Sequence, residues 1–254
     1  MPTPFDMSGR VALVTGSARA IGRAMTLALA ERGASVAIHD VKPSADAEQT
    51  LKDARALGVR AEPFFADFMD VSAPKKLVRE VTEKLGAPDI LVISASIENR
   101  ENWLDVDTAS FDAQVTINFR STLSLLQAAV PSMMERGWGR VVTIGSIQEE
   151  KPHFELMVYA ALKSAQTNLA RNLAKQVVAH GVTINNIAPG AILTNRNAHV
   201  LGEGDVRARV EAMIPARRLG EADDIVGACL LLCSHEGRYI NGATIPVDGG
   251  WGAI

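Results

Sequence analysis

The fold is decided by residues 11–22, which read VALVTGSARAIG. The apolar run Val11–Val14 leads into a turn that contains Gly16 and Gly22, and a helical pattern then continues to about Arg32. Glycines at a strand-to-helix turn let the backbone approach a pyrophosphate, whose negative charge the helix N-terminus favours. The spacing therefore points to a dinucleotide site, although it also fits a tight turn without a ligand.

Short apolar runs alternate with longer helical patterns over the rest of the chain. They predict strands at Val36–Ile38, Ile90–Ile93, Val141–Ile144 and Val182–Ile187, and weaker strands at Ala61–Phe65 and Ala243–Val247. Apolar residues at every third or fourth position predict helices over Phe111–Met134 and Tyr159–His180. In the second helix the polar Gln166 interrupts an otherwise apolar stripe. This alternation fits a doubly wound α/β sheet or an eight-stranded barrel, and the turn at residues 16–22 favours the first.

The composition is that of an ordinary globular protein. Of 254 residues, 47% are hydrophobic and 22% are charged, with a formal net charge of −3. That charge disfavours a polyanion-binding role, and an aromatic content of only 5% disfavours a base-stacking surface, so no nucleic-acid partner is expected. Since there is no internal repeat and no long linker, residues 1–254 are predicted to form one domain.

Cysteine spacing and hydropathy bear on the compartment. Cys229 and Cys233 lie four positions apart in an apolar helical run, which suits buried, reduced thiols better than a disulfide. No further Cys or His cluster completes a metal site. No apolar run approaches the roughly 18 residues of a membrane span, and the N-terminus lacks the apolar core of a secretion signal. We therefore expect a cytoplasmic protein with no metal and no membrane association.

An acidic residue follows the second predicted strand. Asp40 lies 18 positions beyond Gly22, where a carboxylate accepts hydrogen bonds from an adenosine ribose and repels a 2′-phosphate. A charge at a strand end is often only solvated, and Arg19 or Lys42 could meet a phosphate instead. The residues favour NAD, with NADP as the alternative.

Tyr159 and Lys163 form the most informative pair of polar residues. They lie four positions apart on a helical pattern, so both project from one face, and the chain has only two tyrosines. A nearby ammonium lowers the pKa of a tyrosine from about 10 towards neutrality, which suits it to exchange a proton with an alcohol or carbonyl oxygen. Ser146 follows the strand Val141–Ile144, at the carboxyl edge where open α/β sheets bind ligands.

With these features the sequence resembles the short-chain dehydrogenase/reductase family from Arg10 through Gly252. The matching motifs are the TGxxxxxG turn at Thr15–Gly22, Asp67, Asn118, Ser146 thirteen residues before Tyr159, Pro189-Gly190 with Thr194, and Val247–Trp251. The resemblance implies a three-layer Rossmann fold with about seven parallel strands in the order 3-2-1-4-5-6-7. It also implies a homotetramer built from dimers.

The resemblance further implies a role for each matching position. Tyr159 would be the general acid/base, Lys163 would lower its pKa and hold the nicotinamide ribose, and Ser146 would bind the substrate oxygen. Asn118 would anchor a proton-relaying water. The cofactor contacts would come from Gly16, Ser17, Arg19, Ala20, Ile21, Gly22, Asp40, Asp67, Phe68, Ser94, Ala95, Tyr159, Lys163, Pro189, Gly190, Ile192 and Thr194.

The chain departs from the family pattern at two places. The middle glycine of the turn is Ala20, which adds a methyl group at a crowded point. The usual Asn-Asn-Ala-Gly after the fourth strand reads Ile93-Ser94-Ala95-Ser96, so the asparagine that ties neighbouring backbone together is replaced. Because all four catalytic residue types are present, we interpret these changes as tuning of the cofactor site.

Substrate specificity is expected from Ser94–Asn102, Gln148–Val158 and a substrate loop at 191–213. The second segment is polar, and Gln148, Glu149 and His153 would join Ser146 and Tyr159 around a sugar, a polyol or another small hydroxy compound. These polar residues would also fit a solvated loop at the rim of the site that does not contact a substrate. A short similarity to bacterial glucose dehydrogenases of the family favours the sugar. The alternatives are a 3-oxoacyl-(acyl carrier protein) reductase and a catalytically silent nucleotide-binding homologue.

Overall fold

Seven strands lie side by side in one sheet of the computed structural model, which describes residues 4–194, 197–201 and 204–253. The strands are β1 Val11–Thr15, β2 Ser35–Asp40, β3 Ala61–Phe65, β4 Ile90–Ile93, β5 Gly139–Ile144, β6 Val182–Pro189 and β7 Thr244–Val247. All neighbours are parallel, in the order β3-β2-β1-β4-β5-β6-β7, which confirms the predicted fold and strand order.

Helices connect the strands and cover both faces of the sheet. They are α1 Ala20–Glu31, α2 Ala45–Ala56, α3 Ala73–Lys84, α4 Thr108–Gln114, α5 Ser121–Glu135, α6 Met157–Val177, α7 Ala198–Leu201, α8 Gly204–Met213 and α9 Val226–Cys233. One buried core joins α1 and α9 to one face of the sheet, and a second joins α3, α5 and α6 to the other. None of the described helices is both long and apolar enough to cross a membrane.

The two faces follow from the alternation of side chains along each strand. In β1, Ala12 and Val14 enter the first core, whereas Val11 and Leu13 enter the second. Both sets are buried, which is why the run is apolar at every position. The chain crosses from β3 to β4 on the other side of β1, and this reversal opens a crevice at the carboxyl ends of β1 and β4.

The helix predicted over Phe111–Met134 is interrupted by a π-helical segment. Residues Val115–Arg120 separate α4 from α5 and contain Asn118. Its stripe is also less buried than the periodicity indicates, since Phe111 and Leu123 are exposed. A π-helical turn rotates the following residues relative to a regular helix, and such turns are frequent at functional sites.

Candidate active site

A cavity of about 730 Å³ opens at the carboxyl edge of the sheet. Its walls come from the turn at residues 16–22, the loops after β2 to β6, one face of α6, and residues of α7 and α8. The three expected specificity segments all contribute to it, although residues 195, 196, 202 and 203 of the substrate loop lie outside the described residues. A cavity at the switch point of an open α/β sheet is where this architecture binds its ligands.

The glycine turn leaves the start of α1 open to this cavity. Gly16 adopts φ +66°, and a Cβ there would lie 3.1 Å from the Cα of Ala95. A Cβ on Gly22 would overlap the carbonyl oxygen of Gly16. No side chain caps α1, and its first turn holds no acidic residue. The backbone N–H groups and the positive helix end therefore fit a pyrophosphate.

His39 supports the turn from below. The N–H of Gly16 donates to its Nδ1 at 3.0 Å, its Nε2 lies 3.0 Å from the carbonyl oxygen of Ala66, and its ring stacks on Phe68. An Nδ1 that accepts carries no proton, so Nε2–H donates to Ala66. Burial is the main cause that lowers the pKa of His39 to about 4, against the opposing effects of Ala66 and Asp40. The ring is therefore neutral at pH 7 and fixes the first glycine.

Asp40 lines the cavity beside the turn. Its carboxylate accepts hydrogen bonds from the N–H of Val41 at 2.8 Å and from the hydroxyl of Ser44 at 2.7 Å. Arg19 also lines the cavity and lies 3.5 Å from Asp46. This part of the cavity is thus bordered by a carboxylate and by an arginine that already has an acidic partner.

The hydroxyl of Thr15 ties the end of β4 to β1. It accepts hydrogen bonds from the N–H groups of Ser94 at 3.0 Å and Ala95 at 3.1 Å. Both residues line the cavity. The backbone after β4 is therefore held by the threonine of the glycine turn, although the asparagine of the family pattern is replaced at residues 93–96.

Ser146, Tyr159 and Lys163 meet on one wall of the cavity. Lys163 is buried, and its Nζ donates to the carbonyl oxygen of Ile144 at 2.6 Å and lies 5.5 Å from the centre of the Tyr159 ring. The hydroxyl of Ser146 accepts from the N–H of Gln148 at 3.2 Å, so its own proton can be donated elsewhere. The wall therefore carries a phenol, an ammonium and a hydroxyl donor.

Three residues expected at the site are placed behind its walls. The hydroxyl of Ser17 is buried and accepts a hydrogen bond from the N–H of His39, so it fastens the glycine turn to β2. Asn118 makes two hydrogen bonds of 2.9 Å, both to the backbone of Ile97. None of the side chains of Ser17, Asn118 and Glu149 lines the cavity. The other expected cofactor and substrate residues line it.

Glu149 is the clearest correction to the expected substrate contacts. Its carboxylate accepts from the N–H of Ser146 at 2.9 Å and lies 3.3 Å from Nδ2 of Asn186. Ser146 and Glu149 thus form a capping box around the short turn that they begin and end. The carboxylate therefore holds the backbone of the serine and does not line the cavity.

A charged cluster, of which sequence reasoning named only His153, lies at the cavity. Arg100 lies 3.6 Å from Glu98 and 3.3 Å from Glu155, and Glu155 lies 3.9 Å from Nδ1 of His153. Glu98, Arg100 and His153 line the cavity. The signal available in the sequence was the Glu-x-Arg pattern within the predicted segment Ser94–Asn102. The cavity also has apolar lining residues, namely Leu201, Val206, Val210, Met213 and Trp251.

No metal-type cluster accompanies these groups: within residues 4–194, 197–201 and 204–253, no three His, Cys, Asp or Glu side chains are arranged to hold an ion.

Known proteins match the chain along nearly its whole length. A family model described as Enoyl-(Acyl carrier protein) reductase matches residues 16–252. The 2-dehydro-3-deoxy-D-gluconate 5-dehydrogenase of Dickeya dadantii (strain 3937) is 32% identical over 249 residues, covering 97% of each chain. A solved 3-oxoacyl (acyl-carrier-protein) reductase from Agrobacterium tumefaciens C58 with NADP bound is 35% identical, with a TM-score of 0.92 over 96% of this chain and 95% of that one. A gluconate 5-dehydrogenase from Burkholderia cenocepacia J2315, in complex with NADP and tartrate, is 30% identical, with a TM-score of 0.92 over 98% of each.

Proposed function

Because the chain belongs to the short-chain dehydrogenase/reductase family, we propose that it is an NAD(P)-dependent oxidoreductase that interconverts a secondary alcohol, or a hemiacetal, and a carbonyl compound. The observation that carries this proposal is the shared wall of Ser146, Tyr159 and Lys163 in a cavity that also includes the glycine turn. A bound nicotinamide would supply the hydride acceptor for oxidation or the hydride donor for reduction.

The chain's own residues move the proton and hold the substrate oxygen. In oxidation the Tyr159 phenolate takes the proton of the alcohol, and in reduction the Tyr159 phenol gives a proton to the carbonyl oxygen. The positive charge of Lys163 favours the phenolate. Ser146 donates a hydrogen bond to the same substrate oxygen, on which negative charge develops. We propose that Asn118 anchors the proton-relaying water through its main chain, because its side chain is bonded to the backbone of Ile97.

We propose that the substrate is a small polar hydroxy compound, such as a sugar, a polyol or a sugar acid. Glu98, Arg100 and His153 supply charged and polar groups to one wall of the cavity, which suits a substrate with several hydroxyl groups. The names of the Dickeya and Burkholderia relatives, both gluconate-type dehydrogenases, support this class. The apolar lining residues Leu201, Val206, Val210, Met213 and Trp251, together with the Agrobacterium relative, favour a 3-oxoacyl thioester as the second candidate.

For the dinucleotide we propose NAD. Asp40 lines the cavity, and a carboxylate there disfavours a 2′-phosphate. The Agrobacterium and Burkholderia structures contain NADP and favour the phosphorylated form. In this chain the one cation of the glycine turn, Arg19, lies 3.5 Å from Asp46, and Lys42 is absent from the described cavity walls. The ratio of kcat/KM for the two dinucleotides tests the choice.

The decisive experiment is a substrate panel of sugars, polyols, hydroxy acids and oxoacyl thioesters, read by the absorbance of the reduced nicotinamide with both dinucleotides. We expect turnover of a polar hydroxy compound. Turnover of oxoacyl thioesters alone would establish the second candidate. Tight dinucleotide binding without any turnover would identify a catalytically silent homologue.

Tyr159→Phe tests the acid/base role within that panel. We expect it to lower activity by about 100-fold or more while dinucleotide binding stays the same, because only the proton carrier is removed. Tyr239→Phe is the matched control, since Tyr239 is 99% exposed and does not line the cavity. Retention of activity by the Tyr159→Phe variant would refute the assignment.

We also propose that cofactor and substrate share one domain, that its copies form a homotetramer of dimers, and that it works in the cytoplasm. Exposed apolar residues on α4, α5 and α6, Phe111, Leu123 and Met157, support an interface between copies. The free, buried thiols of Cys229 and Cys233 support a reducing compartment. Light scattering tests the assembly, and cell fractionation tests the compartment.

A further inference from the structure

Gln166 is a buried polar residue of α6 that the proposed reaction has not yet used. It follows Lys163 by three positions, and each residue is 2% exposed. A buried amide costs free energy unless its oxygen and its nitrogen both find partners. Both do here, and each partner leads back to the candidate active site.

The hydrogen bonds of Gln166 connect Lys163 with the π-helical segment. Nζ of Lys163 lies 3.4 Å from Oε1 of Gln166 and donates to it, in addition to its bond with the carbonyl oxygen of Ile144. Nε2 of Gln166 donates to the hydroxyl of Thr122 at 2.9 Å, and that hydroxyl donates to the carbonyl oxygen of Asn118 at 2.9 Å. The amide therefore joins α6 to the helix that carries Asn118.

A neutral amide is well suited to hold a lysine whose charge acts on a neighbour. Lysine ends in a point charge on a flexible stem, so its position is set by the acceptors around it. An amide oxygen stabilises the ammonium without cancelling its positive field, whereas a carboxylate would neutralise that field at Tyr159. The two carbonyl-type acceptors, on Ile144 and Gln166, hold Nζ from two different elements.

We propose that Gln166 is a positioning residue, which holds the Lys163 ammonium against the carbonyl of Ile144 at the place from which it acts on the Tyr159 phenol. This inference rests on the proposed function, because it assigns Gln166 to the same acid/base pair.

The two tyrosines of the chain allow a direct test without substrate. Tyr239 is 99% exposed, so Tyr239→Phe yields a protein in which the near-ultraviolet absorbance of tyrosinate reports Tyr159 alone. In this background, Gln166→Leu should raise the titration midpoint of Tyr159 by about 0.5–1 pH unit, which lowers the phenolate fraction below the midpoint about 3- to 10-fold. The acid limb of kcat/KM for oxidation should move upward by the same amount.

Other titratable and charged groups lie on segments that line the cavity or pack against α6. They are Glu98 and Arg100 after β4, Arg120 of the π-helical segment, and Glu149 and His153 after β5. These groups contribute to the pH profile of activity, but they do not contribute to tyrosinate absorbance, and none of the variants removes them. The absorbance midpoint is therefore the primary measurement.

Thr167→Val is the matched control. Thr167 is the next residue of α6, is 3% exposed, and its hydroxyl has no hydrogen-bond partner among the described residues. Its replacement should leave the midpoint unchanged.

Thr122→Val removes the hydroxyl that holds Nε2 of Gln166. It should shift the titration midpoint of Tyr159 in the same direction as Gln166→Leu but by a smaller amount. This variant tests the role of Gln166 if Gln166→Leu does not fold.

An unchanged midpoint in Gln166→Leu, or an equal shift in Thr167→Val, would overturn the proposal. The titration uses the apoprotein, so its result is independent of the substrate panel. A panel without turnover would remove the proposed function, whereas an active enzyme with an unchanged midpoint would remove only the role of Gln166.

Discussion

Acidification should weaken the folded protein at the glycine turn, because the folded state keeps His39 neutral. The His39 ring accepts a hydrogen bond from the N–H of Gly16. Because the ring is buried, its pKa falls from 6.5 to about 4. The unfolded chain therefore binds a proton more readily than the folded one. The contribution of His39 is fully present above pH 6.5 and is lost as the pH falls towards 4.

The size of the effect follows from the two pKa values. A difference of about 2.5 pH units corresponds to about 3 kcal/mol at 1.36 kcal/mol per unit, and about 2 kcal/mol of this is lost between pH 7 and pH 5. That loss is large against the roughly 5–15 kcal/mol that separates folded from unfolded domains.

Urea unfolding at pH 7 and pH 5, at one protein concentration, measures how much unfolding free energy is lost on acidification in the wild type and in His39→Asn. Asparagine retains an acceptor near Gly16 but does not titrate. The variant should be less stable at pH 7, because it loses the bond to Ala66 and the stacking on Phe68, yet it should lose about 2 kcal/mol less on acidification. Titration of all other groups is common to both proteins and cancels. Equal losses in the two proteins would refute the reasoning.

Three further substitutions test other parts of the site. Asp40→Ala should raise kcat/KM with NADP relative to NAD, and an unchanged ratio would contradict the cofactor proposal. Ala20→Gly should raise the free energy of unfolding by about 0.5–1 kcal/mol, because Ala20 adopts φ +49°, and a decrease in urea stability would argue against strain there. Glu149→Ala should lower kcat about 10-fold by releasing the N–H of Ser146, while Glu149→Gln retains most activity; equal rates in the two variants would exclude the positioning role.

The fold could be predicted because its signals are local. The strand and glycine turn at residues 11–22 adopt the expected conformation for reasons contained in that stretch, namely apolar side chains on both faces and a backbone position at Gly16 that requires positive φ. The same is true of Tyr159 and Lys163, whose meeting on one wall follows from helix geometry alone. Parallel strand order then follows from the family resemblance.

The roles of Ser17, Asn118 and Glu149 depend on partners that a residue pattern does not specify. Ser17 bonds His39 from 22 positions away, and Asn118 bonds Ile97 from 21. Glu149 differs, because its partner is only three positions away and Ser-x-x-Glu is a recognisable capping box. The polar loop that contains Glu149 was interpreted as a substrate contact, although the capping-box pattern already predicted that the carboxylate binds the backbone of Ser146.

Gln166 shows which departures from a pattern carry information about function. In the apolar stripe predicted for the second long helix, Leu162, Leu169 and Leu173 are only half-buried, whereas the polar Gln166 is buried at 2% exposure. The periodicity correctly predicted which face of the helix points into the protein. It did not predict that the polar member of the stripe is more buried than the leucines. Burial of an amide is tolerated only where the fold supplies partners, and here the partners are Lys163 and Thr122. A polar residue in an apolar stripe, one turn from a predicted catalytic lysine, is therefore better interpreted as a contact to that lysine than as a flaw in the helix.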